Sequence, residues 1–384
     1  MRVALLLGLV HVTTDLATVT ALVRATDGRA ATAAVVFGWF LAYDVVAFGG
    51  QPFVGLVADR LRAGPVVLAG VGVAALGVAV AAVGGRTAAV GLAAVLLAAL
   101  GNAVTHVGAG VVVLRDDLTR AAPAGLLVAP GALGLGLGLW FGRDPGLGPT
   151  WWAAVPLAAA VVLVLRLHRA GALEPSPSRR RSVGERAGER LRHAPALRLT
   201  VLAVLALLVS VAIRSLVGAS SGRGYEAGAW LTAGVPLVAF AGKALGGLLA
   251  DRLGWLVLTV GALVTSAPLL SVHHAHPALL LTGLLVFQMT MPVTLVTVGR
   301  LLPNRPGTAF GLPCAALLVG ALPASFGWGE QMSSRPLLGG WVVLSAISAW
   351  AGLTGAGLGW RRGAGAADRT VGVPAFTAAG GEPR

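Results

Sequence analysis

The sequence predicts an all-α membrane protein with twelve transmembrane helices in two pseudo-symmetric bundles of six, and three observations support this class. Long apolar runs alternate with short charged loops, and a helix needs about 20 apolar residues to cross the hydrocarbon core of a bilayer. Only 11% of the residues are charged and the mean hydropathy is +0.83, whereas a soluble domain has about 25% charged residues. A polar segment in the middle of the chain separates two loops of almost the same sequence, which indicates an internal duplication.

Each apolar run gives one helix, and the charged loop that interrupts it gives the boundary. We expect helices, in order, at residues 3–23, 33–57, 65–84, 88–114, 123–142, 150–168, 197–217, 227–250, 255–272, 276–298, 307–326 and 337–359. The first run continues past His11 and Asp15 without a small-residue cleavage site, so it predicts a helix and not a cleaved signal peptide.

The predicted helices group into domains around a segment that cannot cross a bilayer. Residues 169–196 are rich in Pro, Ser, Arg and Glu and predict a basic cytoplasmic linker. This linker separates an N-terminal six-helix bundle at 1–168 from a C-terminal six-helix bundle at 197–360. We expect residues 361–384 to form a disordered cytoplasmic tail.

The net charge of +14 is consistent with a nucleic-acid-binding protein, but the distribution of the arginines indicates a membrane protein. If the N-terminus is cytoplasmic, the loops on that side contain Arg60, Arg62, Arg115, Arg120, Arg179, Arg180, Arg181, Arg252, Arg300, Arg305, Arg361 and Arg362. The opposite loops contain Arg24, Arg29, Arg86, Arg143, Arg214, Arg223 and Arg335. This positive-inside bias predicts a multi-pass protein of the plasma (inner) membrane that contacts lipid, with both termini cytoplasmic and no nucleic acid partner.

The sequence lacks the residues that several kinds of chemistry require. No G-x-x-x-x-G-K-[ST] phrase is present, so we expect no ATP-driven step. The single cysteine, Cys314, lies in a predicted helix and excludes an internal disulfide. No set of ligands for a dedicated cofactor or a structural metal is visible, and we expect neither.

Two loops and the fifth helix carry repeated or motif-like phrases. The loop phrase GLVADR contains Gly55, Asp59 and Arg60, and GLLADR repeats it with Gly247, Asp251 and Arg252. The fifth helix contains GLLVAPGALG, with Gly125, Pro130 and Gly134. On these residues the sequence resembles the major facilitator superfamily, which has a G-x-x-x-D-R loop motif and, in its antiporters, G-x-x-x-G-P-x-x-x-G in helix 5. Ala129 replaces one of those glycines. The resemblance covers nearly the whole chain and implies a substrate site between the two halves.

The resemblance also implies a conformational latch at the duplicated loops. Asp59 ends helix 2 on the side where helix 11 begins near Gly307, so its carboxylate is expected to meet the positive end of that helix dipole. Asp251 is expected to meet helix 5 near Pro123 in the same way. Such contacts would close the cytoplasmic face and break when the halves move. The alternative is that both aspartates only cap their own loops.

Ionisable residues in the middle of membrane helices are functional candidates, because they are expensive to bury. His11 and Asp15 are four residues apart and share one face of helix 1, and Asn102 and His106 have the same spacing in helix 4. The resemblance implies that helices 1, 4, 7 and 10 line the central cavity. The candidates for proton coupling or the substrate cavity are His11, Asp15, Tyr43, Asp44, Asn102, His106, Gln288 and Thr294.

A histidine beside a carboxylate can carry a proton, since the carboxylate favours the imidazolium while burial opposes it. The alternative for His11 and Asp15 is a hydrogen bond that only fixes helix packing. Lys243 in helix 8 has two interpretations as well: an anion or proton contact, or a side chain that extends towards the loop near Asp251. We favour the second for Lys243.

Three further phrases make the resemblance more specific. HVTTD (His11, Asp15), the QP at Gln51 and Pro52, and NAVTH (His106) are similar to the fosmidomycin-resistance branch of drug and proton antiporters. That branch has H-x-x-N-D, Q-P and F-H-P-E at these places. Here Thr14 replaces the asparagine, and the residues after His106 are valine and glycine, without the acidic residue.

These observations predict a secondary active transporter that couples protons to the export of a small organic or drug-like solute by alternating access, and that acts as a monomer. One alternative is a uniporter or a proton symporter for a small organic anion. A second is a transporter-like sensor that moves nothing. We do not expect an enzyme, because His11 and Asp15 have no nucleophile or oxyanion-stabilising motif beside them.

Overall fold

The computed structural model describes residues 1–27, 32–84, 87–147, 150–174, 197–221, 229–271, 276–332 and 334–359. Most of the predicted linker and the whole of the predicted tail lie outside these residues. The described part is helical almost throughout.

Twelve long helices follow one another in the described part of the chain. The first six are α1 (Arg2–Asp27), α2 (Ala33–Ala58), α3 (Ala63–Gly84), α4 (Ala88–Asp116), α5 (Ala122–Arg143) and α6 (Ala154–Arg169). The second six are α7 (Leu197–Ser221), α8 (Ala229–Leu253), α9 (Trp255–Ser271), α10 (Pro277–Leu301), α11 (Pro306–Trp328) and α12 (Arg335–Gly355). Eleven of them contain a stretch that is long and apolar enough to cross a membrane, and α9 is a shorter apolar helix. The largest shifts from the expected ends are four residues, at the end of α1, the start of α6, the end of α7 and the end of α12.

Two of the helices change their winding just before a proline, and α11 does so just after Pro323, at a π-helical turn over Ala324–Trp328. A π-helical turn over Val45–Gly49 interrupts α2 just before Pro52, and α10 is interrupted between Gln288 and Met291, just before Pro292. Proline has no backbone N–H, so the preceding turn loses a hydrogen bond that other groups must replace. In α2 the side chain of Gln51 donates to the carbonyl of Ala47 at 2.7 Å. The interruption in α2 therefore fixes a polar side chain in the interior.

The helices pack as two bundles that meet along two pairs of helices. In the N-terminal bundle α1 packs on α5, and α3 packs on α4 and α6. In the C-terminal bundle α7 and α9 pack on α12, and α8 packs on α10. Between the bundles α2 packs on α11 and α5 packs on α8. A Cβ atom at Gly101 of α4 would overlap Ala74 of α3, so glycine is what permits that close approach.

The start of the chain and both duplicated loops lie at the same end of the structure. Arg62 in the α2–α3 loop lies 3.6 Å from Glu174, which follows α6, and Arg120 contacts the sulfur of Met1. We call this the loop-motif end, defined by Asp59 and Asp251, and the opposite end the far end.

Candidate functional site

A cavity of about 420 Å³ lies between the two bundles. Most of its lining is apolar, and its polar side chains are His11, Asp15, Tyr43, Asp44, His106, Ser215 and Lys243. From His11 in the middle of α1 the lining continues to Leu22, Leu139 and Ala321, which are all near the far end of their helices. The cavity in this conformation therefore extends from the centre of the protein towards the far end.

Asp15 is the centre of a buried polar cluster on the N-terminal wall of this cavity. Its Oδ1 accepts a hydrogen bond from Asn102 at 2.6 Å and lies 3.0 Å from Nε2 of His106. Its Oδ2 lies 3.2 Å from Nε2 of His11. Asp15 is 8% exposed, so these neighbours and not water are its main stabilising groups. The spacing in the sequence predicts the proximity of His11 and Asp15, and the fold adds the pair from α4.

The contacts of His11 determine where its hydrogens are. Its Nδ1 lies 2.8 Å from the backbone carbonyl of Leu127 in α5. A carbonyl oxygen only accepts, so Nδ1 carries a hydrogen and donates it. In a neutral ring Nε2 then has only a lone pair, which faces the lone pairs of Asp15 Oδ2. One proton must therefore lie between His11 and Asp15 for this contact to be favourable.

His106 is held in the opposite tautomer. The amide nitrogen of Gln51 lies 3.4 Å from Nδ1 of His106, and an amide nitrogen only donates, so Nδ1 accepts. Nε2 of a neutral His106 then carries the hydrogen and faces Asp15. This N–H is not aligned with the oxygen, which makes the contact electrostatic. The ring centroids of His106 and His11 are 4.1 Å apart, a distance at which two imidazolium charges would repel each other. The cluster thus accommodates one extra proton, on the His11 side.

A chain of hydroxyl groups extends from the cluster along α1. Asn102 also donates to Thr18 at 3.3 Å, and Thr18 donates its own hydrogen to the carbonyl of Thr14 at 2.9 Å. The hydroxyl of Tyr43 lies 2.8 Å from Thr18 and must therefore be the donor in that contact. Asn102 is buried behind Asp15, while Tyr43 lines the cavity. Asp44 also lines the cavity and makes no hydrogen bond or ion pair with another described residue.

The cluster also has the composition of a metal site. His11, Asp15 and His106 offer ligand atoms that lie within 4.8 Å of one another. Two histidines and a carboxylate can hold a transition metal. A metal ligand needs a free lone pair, and Nε2 of His106 has none while Gln51 donates to Nδ1. As arranged, the cluster suits a proton better than a metal.

Small residues of α5 make room for the cluster. A Cβ atom at Gly131 would overlap the ring of His11 and lie 2.8 Å from Asp15 Oδ2, and one at Gly134 would lie 2.8 Å from the Cβ of Asp15. Gly125 approaches the backbone of Lys243 in α8, and Pro130 packs against Gly8 of α1. The motif-like phrase in helix 5 predicts Gly125, Pro130 and Gly134 but not Gly131, which lies closest to the candidate proton site.

At the loop-motif end, two aspartates bridge the bundles. Asp59 accepts from the backbone N–H groups of Gly307 and Thr308, at 2.6 and 3.2 Å, and from the hydroxyl of Thr308 at 2.7 Å. Asp251 accepts from the N–H groups of Ala121 and Ala122 at 2.7 and 3.1 Å. Each carboxylate therefore caps a helix of the opposite bundle, α11 or α5, where the helix dipole favours negative charge.

The glycines and arginines of the loop motifs differ in their roles. A Cβ atom at Gly55 would overlap the backbone of Gly307, and one at Gly247 would lie 2.9 Å from the carbonyl of Ala121. Arg60 and Arg252 are exposed and make no hydrogen bond or ion pair with another described residue, so neither contributes to the contacts that join the bundles in this conformation.

Two other arginines approach the aspartates of the loop motifs. Arg115 donates to the carbonyls of Asp59 and Leu61 at 3.3 and 3.2 Å. Arg120 lies 3.6 Å from the carboxylate of Asp251. Each arginine lies at or just beyond the end of α4, so one helix end contacts both latches.

The C-terminal wall presents cations to the interior. Arg214 is 7% exposed and donates to the hydroxyls of Thr290 and Thr294, the second at 2.9 Å. Lys243 lines the cavity and does not extend to Asp251, which corrects the interpretation favoured from the sequence. Gln288 faces a smaller adjoining cavity, and Thr294 lies behind Arg214 and not on the cavity wall.

Comparisons with solved structures bear on the fold. The chain is similar to FucP, a major facilitator superfamily transporter in the outward conformation, with a TM-score of 0.66 and 16% identity over 93% of this chain and 98% of that one. The chain has the major facilitator fold. The human organic anion transporter MFSD10 (TETRAN) matches with a TM-score of 0.62 and 18% identity over 90% of this chain and 97% of that one. A variant of the E. coli fucose:proton symporter FucP matches with a TM-score of 0.61 and 16% identity over 92% and 97%.

In the comparisons of sequence, no family model and no curated protein matches the chain. At these identities the similar structures show the major facilitator fold and nothing finer. The predicted fold class of twelve helices in two bundles is confirmed.

Proposed function

We propose that this protein is a secondary active transporter that exports a small organic or drug-like solute in exchange for protons by alternating access. The observation that carries the proposal is the pair formed by His11 and Asp15, which needs one proton at a distance of 3.2 Å and lies on the wall of the central cavity. A proton on His11 is balanced by Asp15, and loss of that proton leaves two lone pairs in contact. The protonation state is therefore coupled to the packing of α1 against α5.

The latches provide the second part of the mechanism. While Asp59 and Asp251 hold the N-terminal ends of α11 and α5, the loop-motif end is closed and the cavity extends towards the far end. Opening the loop-motif end must break both pairs of contacts. Because Gly131 and Gly134 of α5 pack against His11 and Asp15, a proton that changes this contact also acts on the helix whose first residues Asp251 holds. We propose that this connects proton binding to the latch.

The orientation follows from the arginines. The loop-motif end carries the greater share of the loop arginines, and we propose that it is the cytoplasmic side of the plasma (inner) membrane. Protons would then enter from the far end and leave at the loop-motif end. We propose that one chain is sufficient, because the cavity is formed by the two bundles of a single chain. Outward transport is supported by the antiporter-like phrase in helix 5.

A second candidate is a proton symporter or a uniporter for a small organic anion, and Lys243 on the cavity wall favours it. Two of the similar structures are named as a fucose:proton symporter and an organic anion transporter. A sensor that moves no solute is the third candidate. The candidates differ in the proton movement that a solute causes or, for the uniporter and the sensor, in whether the solute is taken up.

The test is reconstitution of the purified chain in liposomes that contain a pH-sensitive dye. Addition of a transported solute outside should drive protons out of the liposomes in an antiporter and into them in a symporter. A uniporter should take up radiolabelled solute without a proton signal. Saturable solute binding with no uptake would instead support the sensor.

The variants for this test are Asp15→Asn, which should abolish the proton signal, and Asp117→Asn as the matched control. Among the described residues, the Asp117 carboxylate accepts hydrogen bonds from Thr119 of its own loop alone, so its loss should leave transport unchanged. Proton-coupled uptake that survives in Asp15→Asn would reject the proposed proton site.

A further inference from the structure

We infer that the transported solute is an organic anion with one acidic group and an apolar body, and that Arg214 and Lys243 form the subsite for its acidic group. This inference rests on the proposed transport function and deepens it by naming the substrate class. It follows from the charges of the C-terminal wall and from the shape of the two adjoining cavities.

Both cations lack a carboxylate partner among the described residues. Arg214 has only neutral acceptors: the carbonyl of Ser210 at 3.4 Å and the hydroxyls of Thr290 and Thr294. Lys243 makes no hydrogen bond or ion pair to any described side chain, and the ion pairs in the described part of the chain involve neither residue. Cations at this depth in a membrane protein are expensive unless something pairs with them. A bound anion would supply that partner.

The two cations lie on one cavity. A space of about 220 Å³ is lined by Arg214, Lys243, Ser215 and Gln288, with Phe287, Met291 and Leu317 as its apolar part, and none of the acidic side chains that the structure describes lines it. Ser215 and Gln288 can add neutral hydrogen bonds to an oxyanion. The side chain of Arg214 is held in place by its contacts with two threonines, which lowers the entropy lost when it binds a ligand.

The neighbouring cavity suits an apolar body. The smaller space shares Ser215, Lys243, Met291 and Leu317 with the central cavity, so the two spaces adjoin. The central cavity continues along apolar side chains, among them Val19, Phe40, Phe48, Leu135 and Leu139. Its acidic residues are Asp15 and Asp44. Asp15 is already surrounded by His11, His106 and Asn102, and both acids come from the N-terminal bundle, opposite the cationic wall.

A set of three probes with one body and different head groups tests the inference. Naphthaleneacetate, naphthaleneethanol and naphthylethylammonium share the ring system and differ in charge. Binding to the purified full chain is measured by isothermal titration calorimetry. We expect the acid to bind at least about 30-fold more tightly than the alcohol and the ammonium compound, as is usual for a buried charge that gains a partner. Equal or tighter binding of the alcohol or the ammonium compound, or no binding of the acid, would overturn the inference.

Variants locate the subsite. Lys243→Met and Arg214→Met should each reduce the affinity for the acid by at least about 30-fold and leave that for the alcohol unchanged. Lys243→Arg should restore most of the binding. Arg143→Met is the control, since Arg143 is exposed at the far end of α5. If Arg214→Met does not fold, Lys243→Met and Lys243→Arg still decide the result. Acid binding that is equal in Lys243→Met and the parent would overturn the subsite.

The outcomes also separate this inference from the proposed function. Proton-coupled transport of neutral or cationic solutes, with no preference for acids, would leave the transporter proposal intact and reject the anion subsite. Preferential binding of the acid with no solute movement in liposomes would support the subsite and reject transport.

Discussion

The two bundles share a scaffold but differ in the chemistry that they bring to the cavity. At the loop-motif end they are equivalent: Asp59 of the first bundle caps α11 of the second, and Asp251 of the second caps α5 of the first. At the cavity they are opposites, because the N-terminal wall has a carboxylate between two histidines and the C-terminal wall has two cations without acidic partners among the described residues. The two halves therefore share the helix-capping contacts between the bundles and differ in the residues that line the cavity.

In the proposed function, this contrast assigns protons to one wall and the charge of the solute to the other. Substitutions in the N-terminal cluster should change proton coupling more than solute affinity. Those in the C-terminal wall should change solute affinity more than coupling. From the largest expected effect to the smallest, variants of the N-terminal wall test this division, and variants of the two latches test the shared scaffold.

The largest expected effect is on proton-coupled flux, and it should differ between substitutions of the two histidines. His11→Asn keeps a donor for the carbonyl of Leu127 but removes the nitrogen that faces Asp15, so we expect proton-coupled flux to fall by about 100-fold, within the range of a lost proton-transfer group. His106→Gln keeps an N–H directed at Asp15 and should lose only a few-fold. Dye-loaded liposomes measure both rates. Equal losses in the two variants would contradict the assignment of the proton to His11.

The second effect concerns the contact between α5 and the cluster. Gly131→Ala places a methyl group on the ring of His11, and overpacking of this kind costs about 1–3 kcal/mol. We expect the melting temperature to fall modestly and coupling to fall strongly, because the methyl group displaces His11 from Asp15. Gly72→Ala is the matched control, since its Cβ meets no atom within 4 Å. A Gly131→Ala variant with the coupling of the parent would show that this packing has no role.

The positions of the helices and the proximity of His11 and Asp15 could be predicted from the sequence, for two physical reasons. Hydropathy locates the spans because lipid demands apolar surfaces, and the spacing of His11 and Asp15 puts them on one face of α1 whatever the rest of the chain does. The capping contacts of Asp59 and Asp251 also follow from the repeat, because the end of one helix and the start of another must meet at the same membrane face.

The remaining contacts of the candidate site depend on how the helices cross one another, and a single sequence does not specify those crossings. The donation from His11 to Leu127 and the space at Gly131 exist only because α5 lies directly against α1. Arg115 and Arg120, not the motif arginines, approach the latch because α4 ends between the two capped helices. The sequence favours a position of the Lys243 side chain near Asp251, because the local sequence does not reveal which face of α8 borders the cavity.

The third effect tests the equivalence of the latches. Asp59→Ala and Asp251→Ala each remove a helix cap, a change that costs about 0.5–2 kcal/mol, so each should open the loop-motif end by about 2- to 30-fold. Cys314 is the single cysteine and lines the central cavity, so it reports this opening without engineering. The measurement is its labelling rate with a membrane-impermeant thiol reagent added on the loop-motif side. Clearly unequal labelling rates of Cys314 in the two variants would show that the two latches are not equivalent.

The smallest effect should come from Tyr43, at the end of the hydroxyl chain. Tyr43→Phe removes the hydrogen bond to Thr18, which is worth about 0.5–1.5 kcal/mol, and Thr18 in turn accepts from Asn102, which donates to Asp15. Proton-coupled flux should fall two- to tenfold, within about that energy, while the affinity for the naphthalene acid stays as in the parent. A lower affinity with unchanged coupling would place Tyr43 in solute binding and move part of that role to the N-terminal wall, because Tyr43 itself lines the cavity.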